Sequence, residues 1–527
     1  MSVFNTFYSW YLRKRSDQVA AMMEDPHPGQ HALFHHLVDE AKNTDWGQLH
    51  GYRSIQNIEQ FKSRVPISNY EKISPWIERM MKGEQNILWP GEIKWFAKSS
   101  GTTNDKSKYI PVSYESVEDC HLKAARDLLS IYCSQVPDTK VFSGKGLVMG
   151  GSHQVNNMGD NSFYGDLSAV LMMNLPFWVH FIRTPDLSVA LLSDWEDKIE
   201  KMARATIKDD VTNISGVPTW TLVLAEKIFE LTGKSDLTDV WPNLELYVHG
   251  GVSFTPYRNR FKELTAKKPI NFMETYNASE GFFGLQNDLK KNDLLLMTDY
   301  GILYEFMPME FYGTDHPKTH LLHEVELNKE YALIISTNSG LWRYLVGDTI
   351  RFTSTKPYKF TITGRTQHYI NAFGEELMIG NADRAIAFAS LHTEAAVRDY
   401  TAAPIYFEGT EKPTHQWLIE FEKEPNDYHK FCQLLDENLQ SLNSDYEAKR
   451  YKNMAMQMPK VQMLANGTFH AWLKRKGKLG GQHKVPRLCN DRSIIEEVLQ
   501  TVESGIRNQD SGGGRQFGNR DSVRRGE

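Results

Sequence analysis

Ala97-Lys98-Ser99-Ser100-Gly101-Thr102-Thr103-Asn104-Asp105-Lys106-Ser107-Lys108 sets hydroxyls, one glycine and lysines between two apolar segments, Lys94-Trp95-Phe96-Ala97 and Tyr109-Ile110-Pro111-Val112. A glycine lets the backbone turn tightly and approach a ligand. Hydroxyls and free amides bond phosphate oxygens, and a lysine supplies a compact positive charge. The stretch has the composition of a triphosphate-holding loop. Ser/Thr/Gly-rich connections also serve as plain turns, so the rest of the chain decides between the two.

A chain of 527 residues exceeds the size at which one core keeps growing, so two or more domains are expected. With 40% apolar and 24% charged residues, the composition is that of a soluble globular protein. The formal charge of −6 gives no basic field for nucleic acid, and no arginine-rich stripe appears in the body of the chain. Cys120, Cys133, Cys432 and Cys489 have neither metal nor disulfide spacing, which points to free thiols in a reducing cytoplasm. No apolar run is long enough to span a membrane. In Val3 to Met23 the charges Arg13-Lys14-Arg15 follow the aromatic part, the wrong order for a secretory signal, so a helix packed on a domain surface is expected there.

Outward from the loop, residues 1–90 read mainly as helix, with Leu33, Phe34, Leu37, Val38 and Ala41 at helical spacing. Trp46, Trp76 and Trp89 read as core or rim aromatics. Tyr114 to Tyr132 is expected to be a helix burying Val117, Cys120, Ala124, Leu128 and Ile131. Gly144 to Gly151 and Leu244 to Gly251 each read as a short strand ending in two glycines, an arrangement that serves either a ligand approach or a turn. Trp195 to Thr206 and Thr219 to Thr232 are expected helices. Asn271 to Tyr276, Leu294 to Asp299, Leu303 to Met307, Tyr331 to Ser336 and Phe360 to Thr363 are expected strands. Helices and strands alternate with polar loops at strand ends, which predicts an α/β domain with sites at those ends.

Beyond Gly364-Arg365-Thr366-Gln367 a smaller α+β pattern begins. It has a strand at Trp417 to Glu422, an amphipathic helix at Asp427 to Leu442, and a helix through Lys474 capped by Thr468. The expected organisation is an N-terminal domain over 1–363, a mobile C-terminal domain over 364–505 and a disordered tail over 506–527.

Four polar clusters, 99–108, 275–281, 342–348 and 364–377, each follow an expected strand, and their order and wording resemble adenylate-forming enzymes. In particular the chain resembles the Gretchen-Hagen-three (auxin-responsive) family of acyl acid amido synthetases, in a form like its bacterial members, over roughly 1–505. The resemblance implies a large α/β N-terminal domain with a β-rich portion and a smaller mobile α+β domain. Ser99, Ser100, Gly101, Thr102 and Thr103 through Lys108 resemble the first phosphate-binding motif, with Asn104-Asp105 where a second glycine often sits. Thr275, Tyr276, Asn277, Ala278, Ser279 and Glu280 resemble the second, which implies contacts to adenine and AMP and makes Glu280 the expected Mg²⁺ contact.

Trp342 to Asp348 resembles the third motif, in which the aspartate takes hydrogen bonds from the ribose hydroxyls, while Arg343 is left open between this site and a structural ion pair. Arg365 joins the nucleotide-binding residues, in a crossover where Gln367 lies at the hinge position. Gly481-Gln482-His483-Lys484-Val485-Pro486-Arg487 resembles the late lysine segment, with Lys484 and Lys108 as the catalytic cations and the choice between Lys106 and Lys108 at the phosphate left open.

The implied reaction consumes ATP with Mg²⁺, turns a small-molecule carboxylic acid into an acyl-adenylate, and passes the acyl group to an amine, most simply of an amino acid. No membrane, nucleic-acid or obligate protein partner is implied. His153, His249 and His483 lie near glycine-rich segments and are candidate bases for the amine. Phe163 to Trp178 and Val248 to Tyr257 are candidate walls of an apolar acyl pocket, or core. A thiol acceptor such as CoA, and nucleotide binding without turnover, are the alternative readings.

Overall fold

The computed structural model describes residues 15–99, 108–149, 156–159, 162–192, 194–314, 317–366, 369–406, 412–476 and 485–510. They divide into two compact units. One comprises the described residues up to 366 together with Asn371–Met378 and Asn443–Met456; the other comprises 369–370, Ile379–Leu442 and the described residues from 457 onward. A single boundary near 364 leaves out this return of Asn443–Met456 to the first unit. Among the described residues no helix is long and apolar enough to cross a membrane.

Two sheets organise the first unit. A four-stranded sheet carries the hairpin Trp95–Ser99 and Lys108–Val112. An eleven-stranded sheet runs in the order Ile302–Pro308, Glu330–Thr337, Tyr344–Thr355, Tyr358–Arg365, Leu294–Leu296, Gly281–Leu285, Asn271–Ala278, Leu246–Gly250, Val211–Ser215, Lys145–Val148 and Arg183–Thr184. Its direction switches at Asn271–Ala278, which pairs antiparallel with Gly281–Leu285 and parallel with Leu246–Gly250. The carboxyl ends of the parallel strands therefore share one edge, where ligand sites of open α/β sheets are built.

Local sequence accounts for the elements. Trp195–Thr206 starts at Asp194, whose side chain accepts from Asp197 N, carries Glu196 and Asp197 in its first turn, and buries Ile199, Met202 and Ala203. Pro218–Thr232 opens on proline and stops at Gly233 in the left-handed region. The expected helix after the first loop begins as a π-helix over Ser116–Leu122 and continues as α-helix over Lys123–Gln135. In the preceding helix over 15–24, Arg15 Nε bonds Asp127 Oδ1 at 2.7 Å and Val19 is buried, so that segment packs on the unit.

In the second unit Thr414–Lys423 lies between Ala396–Ile405, antiparallel, and Lys460–Leu464, parallel. Leu418, Leu464, Phe469, Trp472, Ile495 and Val498 form a core there. Thr468 is not the cap: Gly467 occupies that position at φ +89°, and the Thr468 hydroxyl turns back to Ala465 O. The last helix, Ser493–Asp510, runs past the expected start of a disordered tail at 506, because Ile495 and Val498 anchor it in the core. The tail beyond 510 and the first fourteen residues lie outside the described residues.

Arg343 resolves as structural. Its Nε and Nη2 bond Glu305 at 2.8 and 2.7 Å, Nη1 donates to Lys62 O and Val65 O at 2.8 Å each, and Nη2 also reaches Thr319 Oγ1 at 3.3 Å. All five guanidinium N–H donors are used. Removing one partner of such an enclosed pair strands the other charge. Arg343→Met should lower the unfolding free energy by about 3–5 kcal/mol, and Arg343→Met/Glu305→Gln by less than the two single substitutions summed, read by denaturant titration.

Candidate active site

The strands flanking the first loop pair with each other: Ser99 faces Lys108 across the antiparallel ladder, so residues 100–107 connect a hairpin. Ser100, Gly101, Thr102 and Thr103, like Gln367, His153, His483 and Lys484, lie outside the described residues. Next to Lys484, Val485 is buried, Thr401 Oγ1 donates to Pro486 O at 2.7 Å, and Arg487 pairs with Asp383.

The second cluster lies on the strand at the sheet switch. Asn271–Ala278 and Gly281–Leu285 form a hairpin whose two-residue turn is Ser279-Glu280. Thr275 Oγ1 donates to His249 O at 3.2 Å, and Asn277 bonds the ring of His121. Tyr276 OH donates to Asp348 Oδ2 in a very short bond. Arg365 Nε donates to Asp348 Oδ1 at 2.7 Å from the paired strand, where Asp348 and Arg365 are register partners. Arg365 Nη2 lies 3.9 Å from Glu376 Oε1.

Five charged groups share one electrostatic neighbourhood: Lys108, Glu280, Asp348, Arg365 and Glu376. Burial pushes the Glu280 carboxyl up, opposed by Lys108 and then Arg365. Burial also raises Glu376, opposed by Arg365 and, more weakly, Lys108. Tyr276 is driven well above its ordinary value, first by burial and then by Asp348, so it stays a phenol and donates. Among the described residues no group of three or more His, Cys, Asp or Glu side chains is arranged to hold a metal by itself. Mg²⁺ needs no such cage, being held by one or two carboxylates together with substrate phosphates. Glu280, on a turn beside Lys108, fits that requirement.

The arrangement thus brings together Ser99, Lys108, Tyr276, Glu280, Asp348 and Arg365, and leaves Thr275 and Asn277 engaged with protein groups. His249 is sealed: 1% exposed, stacked on Phe254 at 3.8 Å, with neither ring nitrogen bonded, and pushed down to about 3 by burial. The wall expected over Val248 to Tyr257 is largely core, since Phe254 is buried among Tyr247, Phe261 and Phe272, and Tyr257 is buried as well. In the other expected wall Phe163 packs on Trp95, whereas Phe177 and Phe181 are exposed.

Sequence reasoning missed His121 and Glu376. His121 is four residues from Val117 and next to Cys120, so the helical spacing already put it on the buried face. Glu376 stood inside the crossover stretch without a role.

The models of the GH3 family match this chain in three blocks: the N-terminal domain over 15–270, the central domain over 295–365 and the C-terminal domain over 380–493. The indole-3-acetic acid-amido synthetase GH3.3 of Arabidopsis thaliana is 23% identical, covering 90% of this chain and 91% of its own length. The jasmonoyl–L-amino acid synthetase JAR6 of Nicotiana attenuata is 22% identical over 89% of this chain and 92% of its own. The acyl acid amido synthetase AtGH3.15, solved with 2,4-DB, shares the fold with a TM-score of 0.61 at 15% identity, over 93% of this chain and 96% of that one.

Burial lowers the His121 imidazole to about 4, with the Asn277 bond opposing. An unfolded histidine takes up its proton near 6.5, so this contribution to stability is complete above that value and is lost as pH falls towards 4. Between pH 7 and 5 it amounts to about 2 kcal/mol. In His121→Gln the stability lost between those two pH values should shrink by about that amount, read by denaturant titration at both.

Proposed function

Because this chain belongs to the GH3 family, we propose that it is an AMP-forming acid–amino acid ligase, acting in the cytoplasm on ATP, a small-molecule carboxylic acid and an amino acid. The observation that carries the reading is Asp348, fixed between the Tyr276 hydroxyl and Arg365 beside Glu280 and Lys108. A carboxylate accepts at about four lone-pair positions. Two are taken by the clamp, and the acceptor positions that remain suit the two hydroxyls of a ribose.

In the first half-reaction a carboxylate oxygen of the acid attacks the α-phosphorus, and the bond to the bridging oxygen breaks. Its electron pair leaves with pyrophosphate. In the second, the amine nitrogen attacks the acyl carbonyl, AMP leaves with the mixed-anhydride electron pair, and the nitrogen sheds a proton. Lys108, with Lys484 from the late segment, offsets the charge that accumulates as an anion approaches a polyanion. Glu280 would hold Mg²⁺, which when bound would add charge neutralisation at the phosphates. Ser99 to Thr103 offer amides and hydroxyls to the phosphates, while Thr275 to Ala278 border the base.

The relatives are named for indole-3-acetic and jasmonic acids, so a test panel starts from apolar aromatic and alicyclic acids. The protein should catalyse carboxylate-dependent ATP–pyrophosphate exchange with at least one member and release amide when chased with amino acids. Glu280→Ala and Asp348→Asn, which keeps an acceptor oxygen and the volume, should each reduce exchange by ~100-fold or more with melting temperatures close to the parent. Exchange with no acid, or thioester from CoA in place of amide, would refute the assignment.

A further inference from the structure

Residues Asn443–Met456 lie in sequence between parts of the second unit yet belong to the first, as do Asn371–Met378. The short helix Ser444–Arg450 is capped by Asn443, whose Oδ1 accepts from Asp445 N and Tyr446 N at 2.9 Å each. Lys449 on this helix is only 4% exposed. Its Nζ lies 4.8 Å over the Trp220 ring and 3.4 Å from Thr219 Oγ1. The charged groups acting on it are Asp445, Glu375 and Asp166, the last shared with Lys198 across the stacked Trp195–Trp220 pair.

The residues that follow Arg365 are held by several parts of the first unit, one of them the return segment. Glu375 accepts from Ala372 N at 3.1 Å and Phe373 N at 2.6 Å. Thr219 Oγ1 donates to Phe373 O at 2.8 Å, and Tyr257 OH to Ala372 O at 2.6 Å. Asn443 Nδ2 donates to Glu376 O at 3.0 Å. Glu376 in turn faces Arg365, which holds Asp348. Lys449 thus attracts the Glu375 carboxylate and Asn443 bonds the Glu376 carbonyl, and neither takes part in the proposed chemistry.

We infer that Asn443–Met456 is a latch in which Asn443 and Lys449 are positioning residues, setting Glu376, and through it Arg365 and Asp348, for the nucleotide. This rests on the reading of Asp348 as the ribose-facing carboxylate. The latch is made by groups distant in sequence that meet on one loop, so its members couple when substituted.

The test is ATP binding by the full-length protein, measured by calorimetry. Asn443→Ala, Lys449→Met and Glu376→Gln should each weaken ATP binding about fivefold to tenfold, and Asn443→Ala/Glu376→Gln should weaken it no more than the stronger single substitution. Glu376→Gln removes no volume, which keeps the test decisive if a Lys449 variant folds poorly. Burial lowers Lys449 to about 8, so its charge, and its attraction for the Glu375 carboxylate, are present below that value and fade above it. Parental ATP affinity should therefore fall between pH 7 and 9, and Lys449→Arg, which keeps its charge, should flatten that fall.

Unchanged affinity in Asn443→Ala and Lys449→Met, independent effects in the double variant, or a pH profile identical in Lys449→Arg would each overturn the latch. A parent that binds ATP but exchanges with no acid removes the synthetase reading while this measurement stands. A parent that binds no ATP overturns both.

Discussion

Asp348 is held from two directions by groups that reach it from different strands. Tyr276 comes from the strand at which the sheet changes from parallel to antiparallel, and Arg365 from the hairpin partner of Asp348's own strand. Because the phenol is kept protonated and the guanidinium is always charged, each donates to the carboxylate, which accepts from both. The carboxylate cannot rotate without losing one of them. Its free lone pairs therefore point in a fixed direction, and that fixed direction is what a binding site for a diol needs before the ligand arrives.

Two arginines within the third and fourth clusters show how the same side chain is put to opposite uses. Arg343 has every N–H occupied by Glu305, Thr319 and two carbonyls, in a place where its guanidinium is almost fully enclosed. It has no donor left for a ligand, and it ties the helical segment around Lys62 to Val65 onto the sheet. Arg365 divides its charge between Asp348 and Glu376 and stays partly exposed. Around it three carboxyls face two cations, and burial raises the two glutamates. A glutamic acid that holds its proton more readily presents less negative charge to an incoming polyanion, and an approaching cation reverses the effect.

Much of this was legible in the chain itself. Trp195–Thr206 carries its cap, its acidic first turn and its apolar face in consecutive residues, so local chemistry suffices to place it. Strands such as Glu330–Thr337 are buried along nearly their whole length and read as apolar runs. The site residues stood at the ends of such strands. What could not be read was which distant groups meet. Nothing local distinguishes Ser444–Arg450 from the helices of the second unit, and its place in the first is decided by Trp220, Thr219 and Glu376, between 67 and 230 residues away. Thr468 failed as a cap for a related reason, since a glycine one position earlier could take the left-handed conformation that the chain direction there requires.

The glycines near the site carry the same lesson in steric form. Gly250 ends a strand in the manner of a ligand-approach loop, yet a Cβ there would lie 2.6 Å from Thr275 O, the backbone of the neighbouring strand. Gly374, at φ +90°, would place a Cβ 3.1 Å from Lys449 Nζ. In both positions the missing side chain makes room for another part of the protein rather than for a ligand. The first contact fixes the strand that bears Tyr276, and the second lets a buried cation approach the loop that bears Glu376. The absence of a Cβ at each point is thus a condition of the geometry around Asp348, although neither glycine lies against it.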